Sequence, residues 1–424
     1  MGIALRFGLL LVTAGIVSTS LLPAQNVTER EIFDGVKLAD GLDMGVNTSA
    51  GRTDWVNPDV SAMKMAYPSG QAWGAVFITV GKPKDPPRPS WDLSGYASLL
   101  VEVRGDAGTT LEIGIKDASQ PDDGNEQKVI VPVFNSYRTY AIPLSKFNRA
   151  DSKHIYVVTE FVFSGSQSQT VWFRKIKYTT SSAPNVDTAL NGASFKTGAG
   201  SGMWVSLIGQ NLSGVARGWT DKDFPGNKLP IALDGISVNV NERNLAVAYI
   251  GSTQVNALVF HDVPSGQSYF SVTNALGTSV PVRVVLQSTF PAFFALPPEG
   301  GKYAAAVLLD GAIVGKPGLL GSGVVSRPAK PGEIVQIFGT GFGPTTPLSV
   351  ADEILPAPLP LANPSAISIR FGTTSAIVDW AGLVGPGLYQ FNVRVPGVAD
   401  GDQLLSVDVG GSRLQQDVYL TVQR

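Results

Sequence analysis

The chain has 424 residues, of which 44% are hydrophobic and only 16% charged, so it carries material for several packed cores and lacks the composition of a disordered protein. Its formal charge of -2 gives no reason to expect nucleic acid or an anionic membrane as partner. With no cysteine, disulfides, thiolate metal sites and a cysteine nucleophile are excluded together, and stability has to come from core burial.

At the N-terminus, Arg6 precedes an apolar run over 7–17. That run is within the ~7–15 residues of a signal-peptide h-region and short of the ~18–20 that span a bilayer. Leu22-Pro23-Ala24 offers a cleavage site before Gln25, so 1–24 is expected to be a signal peptide. The mature protein is then expected to be secreted, extracellular or at the cell surface, with no transmembrane segment. Residues 25–180 form the first expected domain. Its predicted strands are 63–67, 73–80, 98–105, 110–117, 128–133, 137–144, 160–164 and 170–178. Within Leu111-Glu112-Ile113-Gly114-Ile115-Lys116 apolar residues alternate with others, as do Leu99, Val101 and Val103 with Leu100, Glu102 and Arg104, which is the period of a half-buried strand. No helical period competes with it. Four prolines between Pro83 and Pro89 mark an extended surface loop. A sandwich of two antiparallel sheets follows.

The small polar stretch at 181–187 is expected to be a linker. Beyond it the sequence repeats itself. Met203-Trp204-Val205-Ser206-Leu207 aligns with Glu333-Ile334-Val335-Gln336-Ile337, and Tyr249-Ile250-Gly251 with Gln254-Val255-Asn256 answers Trp380-Ala381-Gly382 with Gln390-Phe391-Asn392. The second copy has the longer loop, at 383–388. Two immunoglobulin-like sandwiches are predicted, at 188–290 and 291–424, so the expected class is all-β: an N-terminal jelly-roll β-sandwich followed by two immunoglobulin-like β-sandwich domains.

Two resemblances bear on these domains. Ile32-Phe33-Asp34-Gly35, Trp73-Gly74-Ala75-Val76, Asp92-Leu93-Ser94-Gly95-Tyr96, Ile142-Pro143-Leu144-Ser145-Lys146-Phe147 and Trp172-Phe173-Arg174-Lys175-Ile176-Lys177-Tyr178 occur in order. The series resembles the β-jelly-roll carbohydrate-binding modules with a galactose-binding-like fold. Such modules often carry aromatic residues after the first strand, where this chain has Gly41-Leu42-Asp43-Met44-Gly45. From about 185 onward, Pro328-Ala329-Lys330-Pro331-Gly332-Glu333, Phe338-Gly339-Thr340-Gly341-Phe342-Gly343-Pro344 and Gly387-Leu388-Tyr389-Gln390-Phe391-Asn392-Val393 occur in order. They resemble the repeat-bearing C-terminal region of secreted Acidobacteria (Solibacter-type) proteins, related to IPT/TIG domains. That resemblance implies architecture and address rather than chemistry.

Catalytic constellations are sparse. Gly339-Thr340-Gly341-Phe342-Gly343 has the glycines of a phosphate loop, but Pro344 and Pro347 oppose the helix such a loop must open, so a turn is expected. His154 and His261 fall in different predicted domains, without the partners of a metal site or triad. Glu102, Glu112 and Glu160 would make a glycosidase only if two of them converged in a cleft, and solvated charges on one sheet face are the preferred reading. No cofactor is expected. Asp122-Asp123-Gly124-Asn125-Glu126 leaves structural calcium open, an acidic turn being the commoner meaning.

The functional expectation is a non-catalytic polysaccharide binder. If Val76, Ile78, Val101, Val103, Ile113 and Ile115 point inward, then Trp73, Phe77, Glu102, Arg104, Glu112 and Lys116 point outward, with Tyr137 beside them. An aromatic platform among charged hydrogen-bonding groups suits the C–H face and hydroxyls of a sugar. Phase alone leaves the opposite assignment open, with Trp73 and Phe77 in the core. The expected partner is a polysaccharide or cell-surface glycan, with other extracellular proteins as a further class. The alternative is a structural or adhesive cell-surface protein acting through protein–protein contacts at strand edges and loops.

Overall fold

The computed structural model describes residues 27–297, 301–321 and 323–424, so the expected signal peptide at 1–24 lies outside the described residues. The fold is all-β, a jelly-roll β-sandwich followed by two immunoglobulin-like β-sandwiches, and short 3-10 turns are its only helical elements among the described residues. Among those residues no helix is long and apolar enough to cross a membrane. The chain divides into two compact units. One runs to Val186 and takes in Ser271–Pro281; the other contains Asp187–Phe270 and Val282–Arg424.

The first unit is built from strands β1 (Glu29–Phe33), β2 (Leu42–Thr48), β3 (Val56–Asp59), β4 (Ala62–Tyr67), β5 (Trp73–Val80), β6 (Ser98–Gly105), β7 (Thr110–Asp117), β8 (Lys128–Pro132), β9 (Arg138–Pro143), β10 (Ile155–Ser164) and β11 (Gln169–Thr179). One sheet runs β2-β5-β10-β7-β8. The other runs β9-β6-β11-β4-β3, and β1 also pairs with β11. Alternation in these strands sends one set of side chains between the sheets: Val76 and Ile78 from β5, Leu111, Ile113 and Ile115 from β7, Val101 and Val103 from β6, and Phe173 and Ile176 from β11 are all buried in one core. Phe161 of β10 and Phe173 of β11 meet across the sandwich with ring centroids 4.2 Å apart. The stretch after β11 is fastened rather than loose: Ala183 N donates to Ser98 Oγ, which donates to Ser181 O.

In the second unit the internal repeat is visible in the ladders. Strand Trp204–Gln210 sets Ser206 opposite Asn256, and Ile334–Thr340 sets Gln336 opposite Asn392. Both copies carry the same bulge on the neighbouring strand, between Val247 and Tyr249 and between Val378 and Trp380. Gln254 Nε2 donates to Asn256 Oδ1 at 2.8 Å, and Gln390 Nε2 repeats the bond to Asn392 at 2.8 Å. The repeated Gln-x-Asn is therefore a carboxamide clip along one strand. The longer loop expected at 383–388 in the second copy is instead a longer hairpin. Its strands Ile377–Gly385 and Leu388–Arg394 pair up to Gly385 opposite Leu388, and its tight turn has a structural task. Trp204 Nε1 donates to Pro386 O at 2.9 Å, while Thr340 Oγ1 accepts from Trp204 N at 3.0 Å and donates to Gly387 O at 2.8 Å.

The glycine-rich motif is a turn, not a phosphate loop. Gly341 and Gly343 have φ of +79° and +95°, and Phe342 between them is buried against Phe293, Phe391 and Tyr389. A side chain on Gly341 would run into the carbonyl of Phe290, which itself accepts from Asn191 Nδ2 at 2.9 Å. Gly341→Ala is expected to cost about 1–3 kcal/mol through backbone strain and this collision. Gly397→Ala, where nothing lies within 4 Å, should be neutral. Denaturant midpoints of the two variants check the contrast. His261 is half-buried, packed against Gly202 with its Nε2 3.1 Å from Tyr389 Oη, and this partial burial lowers its pKa. His154 sits on an exposed loop with Nδ1 2.8 Å from Asp151 Oδ2.

Candidate functional site

The outer face of the β2-β5-β10-β7-β8 sheet is laid out by register. One row across it reads Gly45, Phe77, Glu160, Gly114, Lys128, and the next reads Asn47, Ala75, Val162, Glu112, Ile130. Trp73 lies beyond these, opposite Ser164. The two glycines explain how large groups fit. A side chain at Gly45 would collide with the Phe77 ring, so the ring lies over that backbone, and one at Gly114 would stand 2.5 Å from Glu160 Oε1. Trp73 is 44% exposed at the open end of β5, while Phe77 is half-buried. Trp73, Ala75 and Phe77 with Val162 thus make an apolar strip, edged by Asn47, Ser164 and Glu112. Ser164 Oγ donates to Glu112 Oε1 at 3.1 Å.

At the other end of the face lies an ion-pair network. Lys116 Nζ stands 2.7 Å from Asp122 Oδ1 and 3.7 Å from Glu126 Oε2. Lys128 Nζ is 2.8 Å from Glu126 Oε1 and 3.6 Å from Glu160 Oε1. Arg88, anchored through Nε to Lys84 O, also pairs with Asp122. Burial, reinforced by the neighbouring Glu126, pushes Glu160 from 4.5 up to about 8, so it holds its proton at neutral pH. Burial also works against the charge on Glu126, but the proton on Glu160 and the Lys128 ammonium outweigh it and hold Glu126 low. The acidic turn considered for calcium is engaged by cations: Asp122 faces Arg88 and Lys116, and Glu126 faces Lys128 and Lys116. Among the described residues no three His, Asp or Glu side chains gather as a metal site.

The seven residues expected on one face occupy two. Trp73, Phe77, Glu112 and Lys116 share the face just described, although the Lys116 ammonium is enclosed by its carboxylates rather than open to solvent. Glu102, Arg104 and Tyr137 belong to the opposite sheet, because β6 pairs with β11 rather than with β5, and β9, which Tyr137 leads into, pairs with β6. The expectation of one sheet face for Glu102, Glu112 and Glu160 is corrected in the same way: Glu112 and Glu160 share a face and Glu102 does not. Asp43, Gly45 and Asn47 are on the first face and were not anticipated. Their signal was present, since Leu42, Met44 and Val46 alternate with them and face the core.

Comparison with known proteins bears on this unit. The family model of Carbohydrate binding domain 30 matches residues 41–180, about a third of the chain. Among solved structures, a family 29 carbohydrate binding module complexed with mannohexaose is 16% identical, over 37% of this chain and 95% of its own, with a TM-score of 0.28. A second, complexed with cellulohexaose, is 16% identical over 37% of this chain and 93% of its own, at 0.27. No curated protein matches. Residues 41–180 are therefore similar to a carbohydrate-binding domain in sequence, and they fold as a β-sandwich.

Proposed function

We propose that this chain is a secreted, non-catalytic polysaccharide-binding protein whose first unit takes the glycan on the outer β2-β5-β10-β7-β8 face, with the two immunoglobulin-like sandwiches displaying it. The observation that carries the reading is the solvent-facing Trp73 in line with Phe77, an apolar strip bordered by carboxamide, hydroxyl and carboxylate groups. Sugar rings offer an apolar face to such a strip and hydroxyls to its border. The match of 41–180 to a carbohydrate-binding domain supports the same class of ligand. In this reading Glu112 and Ser164 orient the sugar through hydrogen bonds, and Lys116, Lys128 and Glu160 hold the floor in shape.

Retention of the full chain on a panel of neutral polysaccharides tests the proposal. Trp73→Ala is expected to weaken retention about tenfold, or ~1.4 kcal/mol, with little change in unfolding midpoint because Trp73 lies at the exposed end of β5, outside the core. Unchanged retention would remove this face from consideration. A folded protein that binds nothing on the panel would favour the adhesive alternative.

A further inference from the structure

The opposite face of the same sandwich is basic, and its charges are arranged. Register across the second sheet sets Lys64 of β4 opposite Trp172 of β11, and Trp172 opposite Arg104 of β6, with Tyr137 following on the β9 side. The side chains interleave as cation and ring. Lys64 Nζ is 5.7 Å from the Trp172 centroid, and the Arg104 guanidinium is 4.2 Å from Trp172 and 5.2 Å from Tyr137. Arg174 lies 4.1 Å from Tyr137. Arg174 Nη2 is paired with Glu102 Oε1 at 2.7 Å. Among the described residues Lys64 and Arg104 have no carboxylate within ion-pair distance, whereas Lys175 stands opposite Glu102 in the register and its charge acts on Glu31. The row crosses three strand spacings, roughly 14 Å.

We infer that this face is a second binding site, specific for an acidic polysaccharide such as a polyuronate. Like charges brought this close repel one another, and a chain bearing regularly spaced carboxylates relieves that repulsion. The rings fix the guanidinium planes, and a fixed planar fork suits a planar carboxylate in two-point contact. A nucleic acid would need ring faces on which to stack its bases, and here those faces are taken up by cations. The inference stands on the charge and register of this face and is independent of the reading given for the opposite one.

The test is affinity electrophoresis of the full chain through gels containing polygalacturonate, its methyl ester, or a neutral glucan, with single-stranded DNA and phosphatidylserine vesicles as separate arms. Polygalacturonate should retard the protein, and about 0.5 M salt should abolish the retardation. Methyl esterification, which removes the charge and keeps the backbone, should do the same without any change to the protein. The R104Q/R174Q double variant is expected to lose at least about tenfold in affinity. Its retention on the neutral glucan, read in the same gels, should stay at the wild-type level, which separates this site from the first. Equal binding of ester and free acid, wild-type affinity in R104Q/R174Q, or tighter binding of DNA or vesicles would each overturn the proposal.

Discussion

Phe173→Ala is expected to destabilise the jelly-roll unit by about 3–5 kcal/mol, a large fraction of the stability of a domain this size. Phe173 is fully buried at the middle of β11, and its ring meets Phe161 of β10 from the opposite sheet. Removing it takes away apolar burial and also leaves a void that neither sheet can close, because each strand is held by ladder bonds on both sides. Denaturant unfolding followed by tryptophan fluorescence measures the loss. Ile130→Ala, at a side chain 52% exposed on β8, supplies the contrast and should change little. If the two variants unfolded alike, the contact between sheets would not be what holds this sandwich together.

The register of most strands was legible because a strand buried on one face prints its period into the sequence. Leu111, Ile113 and Ile115 are inside, Glu112 is outside, and β5, β6 and β7 begin and end at the predicted residues. Sheet membership was not legible. Alternation tells which side chains of β6 face the core, but Glu102 and Glu112 carry the same phase whether their strands are neighbours or lie across the core from one another. Pairing partners decide that, and they are set by contacts remote in sequence. β10 was only half seen, because the bulge between Val157 and Thr159 breaks its period and leaves 155–158 reading as a continuous apolar run. The ion-pair network was invisible for a related reason: Arg88 comes from the proline-rich loop, Asp122 and Glu126 from a turn, and Glu160 from β10.

That network carries the second large effect. Lys128→Met is expected to cost about 3 kcal/mol or more at neutral pH, since it strands the Glu126 carboxylate in a nearly closed site with Lys116 as its remaining cation at 3.7 Å. Glu160→Gln should behave in the opposite manner. Glu160 already holds a proton at neutral pH, so glutamine reproduces its shape and charge state, and the cost should stay under about 1 kcal/mol. The pH dependence separates the two roles. A carboxyl raised from 4.5 to about 8 on folding binds its proton more tightly in the native state. Its contribution to stability is complete below pH 4.5 and is lost as pH rises through about 8. Each unit of displacement is worth about 1.4 kcal/mol, offset in part by the lowered Glu126. The difference in unfolding free energy between wild type and E160Q, measured from acid to mildly alkaline pH, cancels the titrating groups that do not touch Glu160 and leaves Glu160 with its neighbour Glu126. It should shift steadily in favour of E160Q as pH rises across that window. A flat difference would mean that Glu160 is ionised in the native protein, and that Lys128 is shared between two carboxylates rather than committed to one.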